Sequence, residues 1–353
     1  MEREQLNIYM HKLALKLLDY PFKVWGYGEA LGLEGLLAAW QSSGDRTYLD
    51  FVHHLVKGWV MERPWIDPID HTAPGRVLLD LYIETRDSRF LDQAYRLAQY
   101  YKNLPRARNG AGLHRPDHPE FKNYVYVDCM ELDGPFLCRL GRVTGEKIFI
   151  ELGVDLLLSH ARALRDAETG LYYHLYDDAK ERNNGAFWGR GNGWALLGLM
   201  GVLEELDPNQ ETYTLVQQLI AKQIETLVRL QDKSGHWHTV LDHPETYLES
   251  SLAAFFCFAI TQSIRKGWIP LSHQSAAQRA WSALSSRFEE SGMIAGVSYA
   301  TPPGDVEQYN HAPTGGLYPW GHGPALLAAV SLLQEPNGAI LPTGGKSNEN
   351  YRS

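Results

Sequence analysis

The chain has 353 residues and a formal net charge of −9. That length accommodates one large domain or two ordinary ones. The acidic balance argues against a nucleic-acid partner, which would want basic patches, and no apolar run approaches a membrane span.

Taken in order, most of the chain reads as helices joined by Gly, Pro and Asp turns. Residues 4–20 place Leu6, Tyr9, Met10, Leu13, Leu15, Leu17 and Leu18 near a helical period. Trp25-Gly26-Tyr27-Gly28 interrupts the pattern, which resumes over 29–41 and stops at Ser43-Gly44-Asp45. Further helices are expected at about 46–59, 75–85, 87–103, 129–143, 146–165, 194–206, 210–231, 248–266, 273–288 and 323–333. No stretch alternates strongly enough to support a substantial sheet. Turns recur after helices at Gly112-Leu113-His114, Gly170-Leu171-Tyr172-Tyr173-His174, Gly235-His236-Trp237-His238 and Gly292-Met293-Ile294, with the glycines 58, 65 and 57 residues apart. A period of that size is two helices plus loops. Six such units predict an all-α double ring of about twelve helices. No Pro/Ser-rich linker divides it, so residues 1–335 are expected to form a single domain. Residues 336–353, rich in Gly, Asn and Ser, are expected to be a loosely ordered tail.

The charged start Met1-Glu2-Arg3-Glu4-Gln5 has no apolar signal core and predicts a cytoplasmic protein. Cys129, Cys138 and Cys257 are an odd, scattered set with neither a disulfide framework nor zinc spacing. No metal and no cofactor are therefore expected. Asp117-His118 and His236-Trp237-His238 allow only a weak cation site. Serine and cysteine nucleophile patterns and the phosphate-loop pattern are absent.

The densest cluster of chemistry is Phe187-Trp188-Gly189-Arg190-Gly191-Asn192-Gly193-Trp194. Three glycines in five residues predict a tight loop that feeds the helix beginning at 194. Unpaired N–H groups at that helix start carry partial positive charge. Arg190 adds a fork suited to a carboxylate, and the indoles offer faces for a sugar ring. The rival reading is a Gly-rich turn with two buried tryptophans. Asp70 precedes Pro74-Gly75, at the start of a helix, where it either caps the turn or works as a catalytic carboxylate. Asp128 stands where another helix begins. With Glu131 it has capping-box spacing, yet flanking Val127 and Met130 would desolvate it and raise its pKa, which suits a general acid. His114 and His174 fall at equivalent turns and are expected at one end of the ring.

Together these residues resemble the unsaturated rhamnogalacturonyl hydrolases of glycoside hydrolase family 105 and, more distantly, the unsaturated glucuronyl hydrolases of family 88. The most specific matches are the 187–194 stretch, similar to the family's Trp-x-Arg-Gly-Asn-Gly-Trp, and Val127-Asp128-Cys129-Met130; Glu249-Ser250-Ser251 is a weaker one. The resemblance implies an (α/α)6 barrel that acts in pectin degradation as a monomer or homodimer. Its substrate would be a lyase-generated oligosaccharide with a 4,5-unsaturated uronic acid at the non-reducing end. Hydration of the C4=C5 bond would release the neighbouring sugar. The resemblance further implies that Asp128 is the acid/base and Asp70 its partner, and that Arg190 holds the uronate carboxylate. It casts Trp25, Trp188, Asn192, Trp194, His114 and His174 as substrate-binding residues. Two alternatives remain: an N-acylglucosamine 2-epimerase-like isomerase on the same barrel, and a non-catalytic carbohydrate-binding barrel. The 187–194 stretch speaks against the first, and the presence of both aspartates against the second.

Overall fold

A computed structural model describes residues 3–62 and 74–334. Twelve of the helices among these residues alternate between an outer and an inner ring. The outer helices are α1 (Arg3–Leu17), α3 (Arg46–Met61), α5 (Ser88–Lys102), α7 (Lys147–Leu164), α9 (Glu211–Leu230) and α11 (Gln274–Ser285). The inner helices are α2 (Glu29–Ser43), α4 (Gly75–Thr85), α6 (Cys129–Thr144), α8 (Gly189–Leu203), α10 (Ser250–Arg265) and α13 (Pro319–Leu333). A one-turn helix, α12 (Val306–Asn310), lies in the last connection. Each inner helix packs on the next, and α13 returns to pack on α2 and α1, which closes the ring. The two rings make an (α/α)6 barrel.

Composition sorts the two rings. α5 buries Phe90, Ala94, Leu97, Ala98 and Tyr101, a single stripe at helical spacing. α8, α10 and α13 are buried nearly all round, as inner helices must be. Short turns at one rim lead from inner to outer helices, with Asp45 and Asp87 accepting from the N–H of Thr47 and Arg89 as N-caps. Longer connections at the other rim lead from outer to inner helices, those after α5, α7 and α9 carrying short hairpins. All six inner helices therefore start at that second rim.

The hairpins explain the recurring turns and correct their alignment. In these turns the glycines with left-handed backbone are Gly110, Gly170, Gly235 and Gly292. The first turn is thus centred on Gly110, two residues before Gly112. Gly110 donates to the Ala107 carbonyl as Gly170 does to Asp166, Gly235 to Asp232 and Gly292 to Glu289. On this alignment His114 and His174 each follow the turn glycine by the same four residues. Among the described residues, strand structure is confined to short pieces of the hairpins: β1 (Tyr124–Tyr126), β2 (Leu175–Asp177), β3 (Arg182–Asn183), β4 (Trp237–His238) and β5 (Leu248–Glu249).

The 187–194 stretch also differs from expectation. Gly189 to Gly193 are the first turns of α8, not a loop ahead of it, and none of the three glycines has positive φ. They are required by close neighbours. A Cβ on Gly191 would lie 2.7 Å from Val127 Cγ1, and one on Gly193 2.7 Å from the Phe255 ring. A Cβ on Gly198 would overlap the Met130 carbonyl of α6. Gly198→Ala is accordingly expected to lower the unfolding free energy by about 1–3 kcal/mol, as overpacking does. Urea denaturation measures it, and an unchanged midpoint would show that α6 and α8 can part freely.

Candidate active site

Asp128 is the residue before α6 and is 8% exposed. Its backbone is already helical (φ −57°, ψ −35°) and its side chain makes no capping bond. Glu131, the other half of the expected capping box, turns to Arg76 instead, at 3.7 Å. Arg76 is itself held by Glu34, with Nε at 3.0 Å from Oε1. The capping alternative therefore fails: the Asp128 carboxylate secures no helix.

β1 pairs antiparallel with β2, Tyr126 opposite Leu175, and Val127 N–H donates to the His174 carbonyl at 3.0 Å. This register brings His174 beside Asp128, with Nε2 at 3.5 Å from Oδ2. His174 is buried and stacks on Trp188 with centroids 4.1 Å apart. Its Nδ1 meets the Tyr309 hydroxyl at 2.7 Å. Burial pushes the His174 pKa below its ordinary value; Asp128 opposes that shift and the Arg190 charge reinforces it. The imidazole is neutral at neutral pH.

The other expected residues extend this row. His114 sits with Nδ1 3.5 Å from Cys129 Sγ and its ring edge-on to Tyr126, at 4.4 Å. Tyr126 in turn lies 5.9 Å from the His174 ring. Burial, and then the charge of Asp128, pushes the phenols of Tyr126 and Tyr27 well above their ordinary pKa. Trp194 packs edge-on to Tyr27 and Phe255. Trp25, half-buried, lies edge-on to Trp59 at 5.8 Å. His114, His174, Asp128, Trp188 and Arg190 are thus brought to one place. Asp70 lies outside the described residues.

Three roles expected within the 187–194 stretch change. Arg190 is 0% exposed. Its Nη1 donates to the Ser298 carbonyl and hydroxyl at 3.2 and 2.6 Å, and its Nη2 to the Tyr299 carbonyl and Thr301 hydroxyl at 2.7 and 3.1 Å. Glu249 lies 3.7 Å away. The fork is thus committed to the 298–301 segment and has no terminal nitrogen left for a substrate carboxylate. Asn192 is equally occupied. Its Oδ1 accepts from Tyr172 N–H at 2.9 Å, and its Nδ2 donates to the carbonyls of Tyr172 and Trp188 at 2.9 and 3.0 Å. It braces the 166–174 hairpin to α8 and does not face a ligand. Trp188 is 1% exposed and carries both His174 and, at 4.7 Å, the Arg190 guanidinium. It supports the site from beneath and offers no open stacking face.

Tyr126, Tyr27 and Tyr309 escaped the sequence reading, and Glu249 entered it only as a weak family match. Tyr126 directly precedes the stretch singled out around Asp128, and Tyr27 lies in one read as a break in the helical pattern. Glu249 accepts from the N–H groups of Leu252 and Ser298 at 3.1 and 2.8 Å, which ties α10 to the same segment that Arg190 holds. Tyr309 carries no motif of its own, although Asp305 and Gln308, just before it, form a true capping box. Below Asp128, Cys129, Asp133 and His160 bring one ligand atom each to within 4.8 Å of one another in the core. These are the donor types a transition metal takes.

Residues 4–335 match the sequence profile of Glycosyl Hydrolase Family 88. The chain is 28% identical over 342 residues to the unsaturated rhamnogalacturonyl hydrolase YesR of Bacillus subtilis (strain 168), covering 94% of this chain and 96% of that one. Among solved structures it superposes on a possible member of glycoside hydrolase family 105 from Salmonella enterica serovar Paratyphi A, with a TM-score of 0.89, 25% identity and 94% of each chain covered. It also superposes on the unsaturated glucuronyl hydrolase of Bacillus sp. GL1, with a TM-score of 0.75 and 17% identity, covering 94% of this chain and 97% of that one. That last likeness shows the fold.

Proposed function

Because this chain belongs to glycosyl hydrolase family 88 and is a glycoside hydrolase, we propose that it removes a 4,5-unsaturated uronic acid from the non-reducing end of lyase-generated oligosaccharides. The observation that carries this reading is the carboxyl of Asp128, nearly buried at the hairpin rim, bound to no helix end and faced by a neutral imidazole. A proton donor free of structural duty is what protonation of an alkene carbon requires.

In this reaction the Asp128 carboxyl gives its proton to C4 of the double bond. The electron pair of that bond forms the new C4–H bond, and C5 becomes electron-poor. Water adds its oxygen to C5 and returns a proton to the Asp128 carboxylate. The resulting hemiketal opens and the neighbouring sugar leaves. We assign Asp70 the role of partner carboxylate, and His114, Tyr126, Tyr27 and Trp25 that of pocket walls. Trp188 and Trp194 shape those walls from behind. Arg190 contributes charge and anchorage, not a clamp. The similarity to a rhamnogalacturonyl hydrolase over nearly the whole chain supports rhamnose as the leaving sugar.

The test is a panel of lyase-generated disaccharides that differ in the sugar next to the unsaturated uronate. Turnover is followed by loss of the ultraviolet absorbance of the enoate. Loss is expected, fastest with rhamnose as neighbour, and saturated uronides should be inert. Release of saturated uronides at a similar rate would point to ordinary glycoside hydrolysis, with two carboxylates working on the glycosidic bond.

A further inference from the structure

We propose that Tyr309 is a positioning residue that holds His174 in the one neutral tautomer whose Nε2–H faces Asp128. The argument is a count of donors and acceptors. Asn184 fixes the starting point. Its Oδ1 accepts from Leu175 N–H at 3.2 Å, so its Nδ2 is the donor, and it donates to the Gly304 carbonyl and the Tyr309 hydroxyl, each at 3.0 Å. Gly304 N–H donates to the same hydroxyl at 3.1 Å. A phenol has one hydrogen to give and two lone pairs. Asn184 and Gly304 fill both acceptor positions, so the hydrogen goes to the remaining neighbour, His174 Nδ1, at 2.7 Å. Nδ1 is then an acceptor, and the neutral ring carries its proton on Nε2. That nitrogen is the one 3.5 Å from Asp128 Oδ2.

The charged and titratable groups around the ring agree with this assignment. They are Asp128 before α6, Tyr126 on β1, Arg190 on α8 and Tyr309 on α12. A second proton on Nδ1 would meet a hydroxyl whose lone pairs are both taken. The capping box of Asp305 and Gln308 fixes the short helix that delivers Tyr309.

The catalytic consequence rests on Asp128 being the acid/base. Once its carboxyl has given up a proton to C4, Nε2–H already points at the new carboxylate and stabilises it. The ring cannot take that proton itself, so the proton Asp128 needs next comes from the water that adds to C5. The 3.5 Å separation leaves room for the contact to tighten when substrate binds.

Histidine 15N NMR tests the tautomer without substrate. In the parent protein, from about pH 7 to 8, His174 should show a protonated Nε2 and a bare Nδ1. A bare Nε2, or a doubly protonated ring across that range, overturns the proposal. Tyr309→Phe removes the hydrogen that holds Nδ1 as an acceptor. The ring should then titrate nearer the ordinary histidine value of about 6.5. A raised pKa means imidazolium persists to higher pH, so the acid limb of kcat should move up in pH. At its optimum kcat should fall about tenfold with KM within about twofold of the parent. A Tyr309→Phe enzyme with the parent's pH profile also overturns the proposal. If that variant does not fold, the parent spectrum alone decides. Absence of turnover on every unsaturated uronide, with the expected spectrum intact, would instead remove the functional reading and leave the tautomer standing.

Discussion

Asp128→Asn is expected to lower kcat by about 10²-fold or more, with KM and unfolding free energy close to those of the parent. The carboxamide has the same shape but no proton to give to carbon and no charge with which to take one from water. Nothing structural is lost, because the Asp128 side chain caps no helix and its backbone is already helical. Nε2–H of His174 can still face the amide oxygen, so the neighbouring ring keeps its place. Steady-state kinetics on an unsaturated disaccharide, paired with urea denaturation, measures both halves of this expectation. Retention of more than about a tenth of parent activity would place the proton donor elsewhere, and Tyr126 and Asp70 would be the next residues to vary. A large stability loss would restore a structural role for the carboxylate.

Arg190→Leu should produce the largest loss of stability among substitutions at the site, about 3–5 kcal/mol. The guanidinium is fully buried and its four terminal N–H groups all go to Ser298, Tyr299 and Thr301. Removing it leaves two carbonyls, two hydroxyls and the Glu249 carboxylate facing an apolar side chain. The 298–301 segment would keep its bonds to Glu249, to the Trp320 indole N–H and to the Pro313 carbonyl, but lose its buried cation. A clamp for the substrate carboxylate predicts the opposite pattern: a strong rise in KM with little change in stability. Arg190→Lys separates the two further. It keeps the charge but cannot reproduce the four-point attachment, so it should recover only a small part of the lost stability. Denaturation and KM measured on both variants decide between anchor and clamp.

The double ring was legible because its cause is written in the chain. The units repeat an apolar inner helix and an outer helix with a single stripe, and four of them add a turn that needs a left-handed glycine. The exact turn glycine was not legible in the first of these turns. Gly110 and Gly112 are both glycines, and only the hydrogen bond to Ala107 separates their roles. Asp128 stands out in the sequence because it opens a helix between apolar neighbours, and His174 because it falls at a repeated turn. The roles of Arg190 and Asn192 were misjudged for a different reason. Arg190 finds its partners more than a hundred residues away along the chain, at Ser298, Tyr299 and Thr301, and nothing local announces them. Asn192 spends its amide on the backbone of Tyr172, a bond that depends on how two hairpins meet. The glycines of the same stretch were taken for backbone freedom. They are instead spaces left for Val127, Leu252 and Phe255. Tyr309 was invisible because its importance lies wholly in what converges on its oxygen.

The closure of the inner ring by α13 on α2 has a consequence for how the molecule is made. The two helices come from opposite ends of the domain, and they touch so closely that a Cβ on Gly323 would strike the Leu31 carbonyl. While the ribosome is still adding the preceding hairpins, α2 has no partner on that side and its apolar surface stays wet. The five earlier helix pairs can stack as they emerge, each on its predecessor. The last contact has to wait for nearly the whole chain, and it carries a high sequence separation that slows its formation. During that interval the barrel is an open arc with a sticky seam, the state in which large domains aggregate or call on chaperones.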